Sequence, residues 1–206
     1  MVVQFSVVQS TRHSASRGVD FAYKLKRREA LPQTGPAMEK YKTFWPRFWA
    51  GFIDGLVFLP LSLFDDYLLS PARGPAILIS WAIVSYTAYW LYSVLLHAHY
   101  GQTVGKRAMH VKVMDVSEER IPSLAQAFLR DIGYIILSIF SLLYFIYLVV
   151  AHKYVSGTEQ INSLPGIILV CANLGWFLLE VTTMLMNSKR RAVHDLIAKT
   201  VVLRVE

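Results

Sequence analysis

An arginine and an aspartate, Arg47 and Asp54, stand seven residues apart in the otherwise apolar stretch FWPRFWAGFIDGLVFLP at residues 44–60. In a helix seven residues make two turns, about 10 Å along the axis, so both side chains share one face. A carboxylate in hydrocarbon costs roughly 2.5–3.5 kcal/mol even on insertion scales, so Asp54 must face protein or water. Arg47, at the boundary, can lift its guanidinium to the headgroups. A second acid, Glu180, lies in an apolar run where Gly166, Asn173, Glu180 and Asn187 recur every seven residues as a polar stripe. Burial raises the proton affinity of a carboxylate, so a proton and a monovalent cation can compete for the same oxygens. Asp54 and Glu180, with Arg47 and Asn173 on the same stripes, are therefore candidate ion- or proton-binding residues.

Each candidate has a plainer reading. Arg47 and Asp54 make equal sense as a structural ion pair that fixes helix orientation. No basic residue shares the expected depth of Glu180, which leaves it protonated, sharing one proton with Asp54, or solvated. The Ser and Tyr residues at helical spacing in two other apolar runs, Tyr86 and Ser93 on a face with His97 in one and Tyr134, Ser138 and Ser141 in line with Asp131 in the other, read first as interhelical hydrogen bonds. His97 and His99 read as interfacial, and Cys171 as packing. The pair Gly51 and Gly55 has the small-residue spacing that lets helices approach closely in lipid.

These residues need a membrane around them, and the composition supplies it. Of 206 residues, 54% are hydrophobic and 17% charged, and the mean hydropathy is +0.40, outside the range of an ordinary soluble domain. The net charge of +7 lies between apolar runs rather than along one face, which argues for membrane orientation and against nucleic acid. No Cys/His spacing resembles a metal site, and no cofactor motif or nucleophile–base pair points to an enzyme. GQTVGKR at residues 101–107 falls one residue short of a phosphate-binding loop and lacks its final Ser or Thr, so nucleotide binding is rejected.

Four apolar runs are long enough to cross a hydrocarbon core, at about residues 45–69, 76–97, 132–150 and 165–187. The expected fold is an all-α helical bundle with four transmembrane helices. Lys and Arg number nine up to Arg47, four at residues 98–122 and five after Asn187, against Arg73 and Lys153 in the other two loops. The positive-inside rule then puts both termini in the cytoplasm of a multi-pass protein in a bacterial plasma membrane. Residues 1–40 form a polar arm without a secretory core, read as disordered or, because MEKYKTFWPRF resembles a natural start at Met38, as an upstream misassignment. LPQTG at residues 31–35 imitates a sorting signal but lies at the wrong end of the chain. Residues 41–206 form the membrane domain. Within it MHVKVMD at residues 109–115 alternates like a short strand, SLAQ at residues 123–126 fits a capping box, and Val193, Leu196, Ile197 and Val201 suggest an interfacial helix before an extended end.

Arg47 and Asp54, GQTVGKRAMHVKVMD in a loop, Arg130 before a span and RRAVHDLIAKTVV near the end together resemble the RDD family of small polytopic membrane proteins, named for one arginine and two aspartates. On that resemblance Arg47 and Asp54 match the first two positions and Asp195 the third. The resemblance implies a membrane domain with transport of a small ligand suggested and cation/proton antiport proposed for some members. The expected partners are the bilayer, a monovalent cation or proton, and further copies of the chain, since four spans are few for a transporter. The rival expectation is a non-transporting scaffold or assembly factor whose polar residues fix packing.

The charge pattern generates a topology prediction. A single cysteine at Ser156 should react with an impermeant thiol reagent added from outside intact cells, and labelling only from inside would reverse the assigned orientation.

Overall fold

The computed structural model describes residues 39–151 and 162–205. Residues 1–38 of the arm, with Met38 and LPQTG, and the turn carrying Lys153 and Gly157, lie outside the described residues. Each long apolar run becomes a helix where the sequence supplies a start and a stop. α1 (Phe44–Val57) and α2 (Leu59–Leu68) occupy the first run. α3 (Pro75–Tyr100) opens with proline in its first turn and ends on Gly101 at φ +70°. There a Cβ would sit 2.8 Å from the Val113 carbonyl oxygen, so only glycine fits. α4 (Val104–Ala108) is a single short turn capped by Thr103. α5 (Leu124–Val150) starts at the expected capping box of Ser123 and Gln126. α6 (Leu164–Met186) starts with Ser163 accepting from the Gly166 amide and Pro165 in the first turn. α7 (Val193–Ile197) precedes the last strand.

Three of these helices, α3, α5 and α6, are long and apolar enough to cross a membrane. The fourth expected span is not one straight helix, because α1 and α2 meet at a 46° bend. Pro60 has no amide to give to the Leu56 carbonyl, and its ring clashes with the preceding turn, so the helix breaks at Phe58. Together the two halves are apolar enough for one broken span or a re-entrant loop, which gives three or four crossings among the described residues. Asp65 in α2 is satisfied within the bundle by the Trp81 indole at 2.7 Å and the Ser85 hydroxyl at 2.5 Å, both from α3.

α3 and α5 pack along their lengths. Leu78 and Ala82 of α3 meet Phe145 and Val149 of α5 in a buried cluster, and the Ser138 hydroxyl donates to the Tyr86 carbonyl at 2.6 Å, an interhelical bond of the expected kind. α6 approaches α5 at Gly133, where a Cβ would lie 2.2 Å from the Trp176 ring. Large apolar side chains elsewhere on these helices remain exposed, as they would be towards lipid.

The all-α expectation holds for the bundle and is supplemented at its polar end by a small sheet. β1 (Val111–Asp115) pairs antiparallel with β2 (Thr200–Arg204), Val113 opposite Val202 and Asp115 opposite Thr200. Val111, Val113 and Val202 form a buried cluster there. The Gln126 side chain ties this sheet to α5, donating to Asp115 at 2.6 Å and to the Ala198 carbonyl at 3.2 Å. Val201 belongs to the strand rather than to the expected tail helix, because Lys199 takes φ +54° and ends the helical path.

α1 reaches this end through α4, and the contact depends on a glycine other than the expected pair. A Cβ at Gly51 or Gly55 would meet nothing within 4 Å, so that spacing serves no close helix contact among the described residues. A Cβ at Gly105 would lie 2.0 Å from the Ala50 carbonyl oxygen and 2.9 Å from Asp54 Cγ. Gly105→Ala should therefore lower the stability of the detergent-solubilised protein by about 1–3 kcal/mol or more, as overpacking does. Gly51→Ala should be close to neutral, and thermal unfolding of the two variants side by side checks the contrast.

Candidate functional site

Asp54 is 1% exposed in the last turn of α1. Its Oδ1 accepts from the Tyr92 hydroxyl at 2.8 Å and the Gly105 amide at 2.8 Å, and its Oδ2 from the Thr103 hydroxyl at 2.6 Å. The Gly105 amide belongs to the first turn of α4, which has no intrahelical partner for it, so Asp54 caps that turn from another helix. The loop that falls short of a phosphate-binding motif does present an amide and a hydroxyl to an anion, and the anion is the chain's own. Asparagine here would turn an amide donor towards donors.

Arg47 does not pair with Asp54. From the outer turn of α1 it reaches the tail, donating to Asp195 Oδ2 at 2.8 Å and the Arg190 carbonyl at 3.1 Å. Asp54, two turns deeper, meets α4 instead, so the structural pair expected between them is replaced by two separate anchors. Arg130 of α5 binds the other oxygen of Asp195, Oδ1, and the Thr200 hydroxyl at 3.1 Å. Asp195 has no exposed surface, and the Ala192 amide completes its shell at 3.0 Å. Burial alone would raise its pKa, but the Arg130 and Arg47 guanidiniums, with the Ala192 amide, hold it well below the usual carboxylate range.

The same two guanidiniums fix a histidine. Arg47 and Arg130 each approach His194 Nε2 at 3.0 Å. Guanidinium nitrogens only donate, so Nε2 is the unprotonated acceptor and the ring proton lies on Nδ1. Nδ1 faces Glu180 Oε2 in a short contact and donates to it. Burial, the largest influence, lowers the His194 pKa from its ordinary value; Asp195 and Glu180 push the other way and Arg130 adds to the lowering. Although Nε2 also lies 3.4 Å from Asp195 Oδ1, the two closer donors favour the neutral ring over an ion pair. Glu180 thus has a partner that its depth in the sequence did not suggest, delivered by the folding back of the tail.

These groups border a cavity of about 650 Å³ whose lining comes from α1, α3, α4, α5, α6 and α7. Its α1 and α6 walls are largely apolar, including Phe48, Phe52, Phe177 and Val181; its polar part carries Arg47, Asp54, Lys106, Arg130, Asp131, Glu180, His97 and His194. Burial and the neighbouring Arg130 charge push the Lys106 ammonium down to about 8, with Asp54 opposing. Among the described residues, buried side-chain atoms without a hydrogen-bond partner include Glu180 Oε1, Asp131 Oδ2 and His97 Nε2, and all three residues line this cavity.

The sequence candidates therefore separate. Asp54, Glu180 and Arg47 come to one cavity, and Asp195 stands directly behind it, bonded to Arg47. Asn173 does not join them; it is exposed and donates to the Leu169 carbonyl of its own helix at 2.9 Å. His97, expected at the interface, is 1% exposed, whereas His99 is exposed and bonds its own helix at Leu95. Cys171 is exposed rather than packed. Arg130, Asp131 and His194 were missed as site residues. In the sequence Arg130 stands before a span, Asp131 heads a stripe of tyrosine and serines, and His194 carries no signal beyond its place before Asp195.

The family model of the RDD family matches residues 41–199. The chain belongs to the RDD family. Arg47, Asp54 and Asp195 form two anchors, one tying the tail to α1 and α5 and one tying α4 to α1. This RDD chain is 25% identical over 138 residues to an uncharacterized membrane protein, YteJ of Bacillus subtilis (strain 168), covering 59% of this chain and 81% of that protein. No solved structure matches.

Asp195→Asn should cost about 3–5 kcal/mol at neutral pH, since two buried guanidiniums lose their common carboxylate. Because the folded pKa of Asp195 is depressed, its contribution is fully present above the unfolded value near 3.9 and is lost only as pH falls through the lower folded value. The stability gap between wild type and Asp195→Asn, measured by thermal unfolding in detergent, should stay constant down to about pH 4–5 and narrow below it.

Proposed function

We propose that this RDD membrane protein moves a small charged ligand through the cavity by exchange with protons, a monovalent cation being the ligand the site suits best. The observation that carries this reading is Glu180: one oxygen is held by His194 while the other, Oε1, is buried without a partner in a residue lining the cavity. A carboxylate presented in this way can take a proton or a dehydrated cation at the same oxygen. His194, held neutral by the two guanidiniums, keeps the Glu180 side chain in place without cancelling its charge. Asp54 is assigned an anchoring part, because both of its oxygens are used within the protein.

The bundle lies in the cell membrane of this proposal with its polar end, Arg47, the sheet and the tail, in the cytoplasm, and works as a homo-oligomer without a cofactor or an enzymatic step. Specific observations also favour a second reading, a scaffold or assembly role. Asp195 is closed off by two arginines, and the family's own Asp54 spends every oxygen on packing. In that reading the cavity is a by-product of the anchors.

Flux separates the two. Purified protein in proteoliposomes loaded with a pH-sensitive dye should dissipate an imposed proton gradient on addition of sodium or potassium ions, and Glu180→Gln should fall to the level of protein-free liposomes while remaining folded. Wild type that moves neither ion, or Glu180→Gln that overlays wild type, would favour the scaffold.

A further inference from the structure

The cavity is larger and more apolar than a bare ion needs. Its volume of about 650 Å³ lies within the ~300–1,000 Å³ common for sites that take small organic molecules, and one dehydrated ion would fill a small fraction of it. Phe48 and Phe52 of α1, Phe177 of α6, Tyr89 of α3 and Tyr134 of α5 line it. Aromatic faces carry negative partial charge, so such a wall suits an apolar body attached to a cation.

The polar end offers unpartnered atoms. Glu180 Oε1, Asp131 Oδ2 and His97 Nε2 are buried without hydrogen-bond partners, and they belong to cavity-lining residues of α6, α5 and α3 that are 7%, 9% and 1% exposed. A buried polar atom without a partner is costly, and three that border one cavity point to a ligand that completes them. No cation of the cavity wall does so. Arg47 and Arg130 are committed to Asp195 and His194, and the Lys106 ammonium bonds none of the three atoms. Two carboxylate oxygens repel an anion and accept from a donor. A primary ammonium brings three N–H donors and a positive charge together.

Access comes from the side. α1 packs mainly on α4, and α6 on α5 and α7, while both line the cavity. Phe48, Phe52 and Phe177 wall it and are still about half exposed. Gly51, between the two phenylalanines of α1, is exposed as well, and a Cβ there would meet nothing within 4 Å. The side chains that wall the cavity therefore also border the hydrocarbon around these helices, and an amphiphile held in the bilayer can enter without passing the polar end.

We propose that the cavity is a binding site for an amphipathic organic ammonium, its head at Glu180, Asp131 and His97 and its apolar body along the aromatic wall between α1 and α6. The proposal rests on the reading of Glu180 as the group that accepts a cation and deepens it by naming the class of cation, yet its test reads binding and not flux.

The probe is tritiated phenethylammonium, added to the full-length protein in lipid nanodiscs, with uptake by empty nanodiscs subtracted. Binding should saturate at one probe per chain. Phenylacetate, the same ring on a carboxylate, should not displace it, and ethylammonium, the same head without the ring, should bind at least about tenfold more weakly. Glu180→Gln removes a charged acceptor and should weaken binding about tenfold or more. Gly51→Phe leaves every polar group in place and fills the side opening, so it should also weaken binding, and it keeps the test decisive if Glu180→Gln does not fold. Four results would each overturn the proposal: no saturable binding above empty nanodiscs, displacement by phenylacetate at the probe's own concentration, ethylammonium bound as tightly as the probe, or affinity unchanged in either folded variant. Saturable binding without sodium or potassium flux removes the exchange of those ions and leaves this site; flux of those ions without phenethylammonium binding removes this site and leaves the exchange.

Discussion

A carboxylate with no exposed surface, Asp195, is held between two guanidiniums that come from different helices, one oxygen to each. Isolated, any one of these buried charges would be strongly unfavourable, and the arrangement persists because each group satisfies the others. Its geometric effect is larger than its net energy. The tail enters the bundle only where both arginines point at once, so α7 is fixed against α1 and α5 together. The position of His194, and with it the partner of Glu180, follows from that single constraint.

Asp54 performs a similar task for the loop. By accepting from Thr103, Gly105 and Tyr92 it binds α4 to α1 at a place where Gly105 leaves no room for a side chain. β1 follows α4 directly and pairs with β2, which follows α7. The loop and tail are thus anchored independently to the helices and then sewn to each other by the sheet. A pre-organised polar end of this kind allows the cavity above it to keep unpartnered atoms, because the surrounding groups cannot relax to fill them.

The division between satisfied and unsatisfied groups is informative in itself. Arg47, Asp54 and Asp195 have their polar atoms engaged by named partners. Among the described residues that line the cavity, the buried atoms left open belong to Glu180, Asp131 and His97.

Much of the architecture was legible from local rules. The helix starts at Ser123 and Leu164, the strand at Val111–Asp115 and the membrane class follow from capping residues, alternation and hydropathy, each of which acts within a few residues. The bend at Pro60 is equally local, since it follows from the proline ring and its missing amide within one apolar run. What the linear chain left open were pairings. Periodicity placed Arg47 and Asp54 on one face and gave them to each other, and it set Asn173 in line with Glu180. It has no term for a tail returning from residues 187–205, so His194 and Arg130 remained outside the site. The sequence by itself determined which side chains were too polar for lipid and had to turn inward. Only the tertiary structure decided what they met there, because a buried charge takes the donors that come within about 3 Å, and that depends on how separate helices and the tail are packed rather than on spacing along any one of them.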